Sequence, residues 1–148
     1  MIFLSDKGQE YSYDDLLKSL NGGTVYYPYY KTSYVYSYFV NLIRALTASR
    51  PLVLLDSDIN PSEIDGLDEG MVNMAESIPV ASFQNMDDVV SAVQGSKSEI
   101  TIFTSGTTGQ PKKVVHSIST LTRSVRMGEK YQGQIWAYAY NPTHMAGL

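Results

Sequence analysis

The chain has 148 residues, no cysteine, two histidines and a formal net charge of -4. That composition excludes a disulfide framework, a thiolate nucleophile and any cysteine-based metal site, and it argues against a multi-histidine metal centre. An acidic balance with 43% apolar and 18% charged residues fits a folded domain and disfavours nucleic acid or an anionic membrane as partner. No apolar run approaches the roughly 20 residues of a membrane helix. The start, MIFLSDKGQ, is too short an apolar stretch for a signal peptide and lacks a basic leader, so the cytoplasm is the expected location.

Taken in chain order, YSYDDLLKSLNGG predicts a short helix. Ser12 is its N-cap, Asp15 stands three residues on, and Gly22 and Gly23 stop it. The next stretch, TVYYPYYKTSYVYSYF, holds seven of the twelve tyrosines. From Ser33 to Ser49 the period is helical. Tyr34, Val35, Tyr38, Phe39, Leu42, Ile43 and Leu46 form the apolar stripe, and Ser37, Asn41 and Arg44 the polar face. The tyrosines read as core and half-buried packing, or alternatively as a ligand or partner surface. The continuous apolar run Leu52–Leu55 predicts a strand buried on both faces. Asp56 and Asp58 follow it, either as solvated turn residues or as metal ligands.

Asn60, Pro61 and Glu63 mark a helix start, and the acidic region 65–75 reads as irregular. SIPVASF predicts a short strand. Met86–Gln94 predicts a helix capped by Asn85, with Asp87 and Asp88 in the first turn and Gly95 at its end. Ile100–Phe103 predicts a strand, Val114–Val115 a second one, and Ser117 the cap of a helix running to about Lys130. The alternation in GQIWAYAY predicts a last strand. Strands separated by helices give an α/β fold with a partly parallel sheet.

The stretch TSGTTGQPKK follows the strand ending at Phe103. Gly106 and Gly109 permit backbone turns that a side chain forbids. Successive amides can then converge as an anion nest. Thr104, Ser105, Thr107 and Thr108 add hydroxyl donors, and Pro111 restrains Lys112, a point charge within reach. The same residue types also suit an ordinary polar turn. A Walker A loop needs G-x-x-x-x-G-K-[ST]; Pro111 stands five residues after Gly106 and Lys113 follows Lys112, so the loop is not of that kind.

The stretch closely resembles the phosphate-binding loop of the adenylate-forming enzymes (acyl- and aryl-CoA synthetases, peptide-synthetase adenylation domains, firefly-type luciferases). Their pattern is T-S-G-[ST]-T-G-x-P-K, matched by Thr104, Ser105, Gly106, Thr107, Thr108, Gly109, Pro111 and Lys112. Lys113 stands where glycine is usual, and Thr101 where an apolar strand residue is commoner. VVHS, with His116, resembles the segment that leads to the family's next helix. NPTHMAGL resembles its Pro-x-x-His-x-x-Gly motif, with Thr143 where an aromatic residue commonly precedes the histidine. YSYDDLLKSL and the helix–strand run from Thr32 to Asp58 are looser likenesses.

The resemblance implies the N-terminal portion of the large domain of an adenylate-forming enzyme: one truncated subdomain over residues 1–148, a partly parallel sheet flanked by helices. It implies an AMP-forming carboxylate ligase. Such an enzyme activates a small carboxylic acid with ATP to acyl-AMP and pyrophosphate, then transfers the acyl group to coenzyme A or a carrier-protein pantetheine. Thr104, Ser105, Gly106, Thr107, Thr108, Gly109 and Lys112 would hold the departing β- and γ-phosphates. His144 would lie near the acyl or carboxylate pocket, or serve structurally; His116 reads more readily as a residue at a helix start. The family's adenine and ribose motifs, its magnesium-holding glutamate and its C-terminal catalytic lysine are not among these residues, so Mg2+ ligands are expected elsewhere and the isolated fragment is expected to be inactive. The alternatives are a small non-catalytic phosphate- or nucleotide-binding module, and an interaction module built on the Tyr26–Phe39 surface. An exposed apolar face left by truncation would favour self-association.

Overall fold

The computed structural model describes residues 1–104, 111–126, 128–131, 133–138 and 143. The chain opens with an antiparallel hairpin of β1 (Ile2–Asp6) and β2 (Gln9–Ser12), unforeseen from the sequence. Lys7 and Gly8 turn it with φ of 51° and 82°, the double positive φ that matches the strand twist in two-residue turns. Helix α1 (Tyr13–Gly22) follows at once. Ser12 and Asp15 cap it reciprocally: the Asp15 amide donates to Ser12 Oγ and the Ser12 amide to Asp15 Oδ2. The chain continues through β3 (Val25–Tyr26), β4 (Tyr29–Lys31), α2 (Val35–Thr47), β5 (Leu52–Leu55), β6 (Glu76–Ser77), α3 (Met86–Gln94), β7 (Ile100–Thr104), β8 (Lys112–His116) and the single turn α4 (Ile118–Leu121).

The main sheet has the order β4-β5-β7-β8, and β3 pairs with β6 apart from it. β4, β5 and β7 run parallel, with Tyr29 opposite Val53 and Leu52 opposite Ile100; β8 returns antiparallel to β7. The fold is therefore mixed α/β with a partly parallel sheet. One core lies between α2 and the sheet and includes Tyr38, Leu42, Leu46, Leu54, Ile100 and Ile102. A second joins α1, α2 and α3 through Leu16, Leu20, Val40 and Val89.

The second core corrects the reading of α2. With α1 and α3 packed on it, its polar side is covered as well as its apolar stripe. Asn41 is only 4% exposed, whereas Tyr34, assigned to the stripe, is 64% exposed. Buried polar groups must find partners, and Asn41 does so on the backbone. Its Oδ1 accepts the Tyr27 amide at 2.8 Å and its Nδ2 donates to the Tyr27 carbonyl at 3.0 Å. Asn21 holds Phe83 in the same reciprocal way, and Asn73 holds Lys31. Three asparagine amides thus stand in for strand rungs between distant segments.

Three further expectations are corrected. SIPVASF contributes only Ser77 to a strand, because Pro79 has no N–H to continue the ladder. The helix capped by Ser117 ends at Leu121 and tightens to a 3-10 turn over Thr122–Ser124. The Thr120 and Thr122 hydroxyls donate to the carbonyls of Ser117 and Ile118, a competition that weakens helices, in a run already rich in β-branched residues. Of GQIWAYAY, residues 139 and 140 lie outside the described residues, and residues 133–138 form no strand. They join neither edge of the sheet, and Ile135 and Trp136 are 100% and 71% exposed; alternation makes a strand only where a partner and a face to bury exist. The tyrosines divide: Tyr26 and Tyr38 are buried, while Tyr27 stacks on Tyr30 and Tyr11 on Tyr36.

Candidate functional site

The hairpin of β7 and β8 frames the Thr/Ser/Gly stretch. Its ladder runs from Ile100 opposite His116 to Thr104 opposite Lys112. Thr104 and Lys112 are thus the last rung before the loop, with side chains on one face of the pair. Both are exposed. Lys113 pairs with Phe103, so alternation turns it to the other face. Ser105, Gly106, Thr107, Thr108 and Gly109, and likewise His144, lie outside the described residues.

Beside this rung, at the carboxyl ends of β5 and β7, is a cavity of about 240 Å³. Carboxyl ends of parallel strands are where open α/β sheets place ligands. The volume is below the roughly 300–1,000 Å³ of sites for drug-sized ligands, so the cavity is too small to enclose a ligand of that size. Leu54, Ile59, Phe103 and Pro111 give it apolar walls, and Asp56, Asp58, Thr104 and Thr143 a polar side. Both described flanks of the loop, Thr104 and Pro111, thus border it.

Thr143 was missed as a site residue by sequence reasoning, and Asp56 was read there only as a turn residue or a metal ligand. Thr143, from the Pro-x-x-His-like stretch, is only 5% exposed and directs Oγ1 to Asp56 Oδ2 at 3.5 Å. Asp56 Oδ1 accepts the Asp58 amide at 3.0 Å, the short turn that ends β5. A strand-terminal acid followed by a turn was the available signal for Asp56; nothing local pairs it with a residue 87 positions away. Electrostatics divide the site, because Asp56 disfavours an anion set directly against it. Among the described residues, Lys112 is the cation on the Thr104 face of this strand end.

His116 ends β8, and its Nε2 is buried without a hydrogen-bond partner among the described residues. It does not line the cavity at the strand ends. Among the described residues no three His, Asp or Glu side chains come together as a metal site, and no helix is long and apolar enough to cross a membrane. No family model matches the chain, and comparison with curated proteins and with solved structures gives no match either.

Proposed function

We propose that the Thr104–Lys112 segment is a phosphate-binding loop for the β- and γ-phosphates of ATP, and that the chain is the N-terminal part of the large domain of an AMP-forming carboxylate ligase. The observation that carries the reading is the sequence TSGTTGQPK set so that Thr104 and Lys112 form the closing rung of a hairpin. That register supports it by fixing both ends of the loop and placing the lysine on the face of the threonine hydroxyl. The bordering cavity at the ends of parallel strands adds support, as does the arrival there of Thr143 from the second family-like motif.

In the proposed reaction a carboxylate oxygen bonds to the α-phosphorus, the bond to the bridging oxygen breaks, and pyrophosphate leaves with the electron pair. The loop's amides and hydroxyls and the Lys112 ammonium neutralise the charge that gathers on the leaving group. Adenine, ribose and Mg2+ would be held by parts of the family's sequence that these 148 residues do not contain, and acyl transfer to a thiol would follow there. Calorimetric titration of the chain with pyrophosphate and ATP tests the loop: saturable binding that Lys112→Ala weakens is expected. Binding unchanged by that substitution, or none at all, would overturn the assignment. Acid-dependent exchange of labelled pyrophosphate into ATP, in a chain that also carries the adenine and lysine motifs, tests the ligase.

A further inference from the structure

A second pocket, of about 260 Å³, lies between α1, the β3–β4 segment and α2. It shares no lining residue with the cavity at the strand ends. Tyr27, Tyr30 and Tyr36 wall it, and Arg44 and Ser19 contribute its polar side. The Tyr27 and Tyr30 rings stack with centroids 5.0 Å apart and 16° between planes. Tyr36 is held from behind by Tyr11 and by a 2.9 Å hydrogen bond between its hydroxyl and Ser19 Oγ. The walls are therefore fixed before any ligand arrives.

Arg44 is half-buried. Nη2 donates to the Ser19 carbonyl at 2.6 Å and Nη1 to the Val25 carbonyl at 3.3 Å. Those bonds use two of the five N–H groups of a guanidinium. Burial pushes its proton affinity down, and no carboxylate among the described residues acts on its charge. A partly desolvated guanidinium with no counterion among the described residues, walled by aromatic rings, favours an anion with a flat apolar body. The volume equals the share of about nine liquid waters, the size of a single-ring acid. A free phosphate would fit the charge but would leave the tyrosine walls unused.

We propose that this pocket binds a small aromatic carboxylate, its ring against the tyrosine walls and its carboxylate on Arg44. The assignment is independent of the phosphate-loop reading, and its test uses no nucleotide. The 148-residue chain, labelled for NMR, is titrated with benzoate, with benzyl alcohol as the neutral counterpart, and with inorganic phosphate. Saturable benzoate shifts centred on Tyr27, Tyr30, Tyr36 and Arg44 are expected. Benzyl alcohol should bind about tenfold or more weakly, the share of one charge-assisted hydrogen bond. Tyr30→Ala should abolish the benzoate shifts while the spectrum of the α2–sheet core is retained, and Arg44→Lys should weaken benzoate without changing benzyl alcohol. Equal affinity for the two probes, phosphate binding as tightly as benzoate, or shifts centred elsewhere would overturn the proposal.

Discussion

Asn41 and Tyr27 exchange two hydrogen bonds, so that one side-chain amide closes the same ring that a neighbouring strand would close. The pair ties the middle of α2 to the segment between β3 and β4, where the tyrosine pocket also begins. Replacing Asn41 with leucine removes both partners and leaves the Tyr27 amide and carbonyl without them. Each orphaned group carries a penalty of about 1–3 kcal/mol. Asn41→Leu is expected to lower the unfolding free energy by about 2–4 kcal/mol, measured by urea denaturation followed by far-UV circular dichroism; a loss below about 0.5 kcal/mol would show that water replaces the clamp.

Lys112 supplies the cation on the Thr104 face of the hairpin end, and it is exposed on an edge strand. Lys112→Ala is expected to leave thermal stability unchanged and to weaken pyrophosphate binding about ten- to a hundredfold, the worth of a charge-assisted hydrogen bond. Lys113→Ala, on the opposite face, should have a much smaller effect. Titration of both variants at two salt concentrations separates a local contact from general charge.

Gly23 sits where a Cβ would overlap the Arg44 guanidinium. Gly23→Ala is expected to push the Arg44 guanidinium off the Ser19 and Val25 carbonyls, at a cost of about 1–3 kcal/mol for the charge-assisted hydrogen bonds lost. The check is the thermal midpoint of the variant, together with the NMR signals of the Arg44 side chain.

The Asp15 carboxyl is held below its ordinary value of 3.8, first by the Ser12 hydroxyl and then by the Ser12 amide. A depressed acid stabilises the fold above its unfolded value, and that contribution disappears as pH falls through the folded one. Wild type should therefore exceed Asp15→Asn in thermal midpoint near neutrality, and the gap should close as pH drops below the ordinary carboxylate range. A gap of constant size from pH 7 to pH 2.5 would remove the carboxylate from the cap.

Local chemistry made much of this fold readable. Ser12, Asn85 and Ser117 announce helix starts because a cap acts within three residues, and each does so in the structure. The parallel pairing of β5 with β7 followed from the helix lying between two apolar runs, whereas β4, inside the tyrosine-rich stretch, was not foreseen. What stayed hidden depends on distant chain. The polar residues of α2 are covered by α1 and α3, so a one-sided stripe misdescribes a helix buried on two sides. The Lys7–Gly8 turn lacks the Asn-Gly or Asp-Gly signature that would have revealed the first hairpin. At the candidate site, the loop was legible as a motif and its flanking rung followed from two adjacent strands. The approach of Thr143 to Asp56 has no local signal, because it is made by the path of the chain around the sheet.

The exposed Trp136 has a practical consequence for optical work. It is the chain's one tryptophan, and its indole already faces water in the folded protein. Its emission therefore changes little when the core melts, and a flat fluorescence trace says nothing about whether the chain has unfolded. Tyr26 and Tyr38, enclosed by the core, are among the chromophores whose near-ultraviolet dichroism vanishes on unfolding. Trp136 is free to serve as a silent background during denaturation, and as a lamp for whatever comes to rest on that surface.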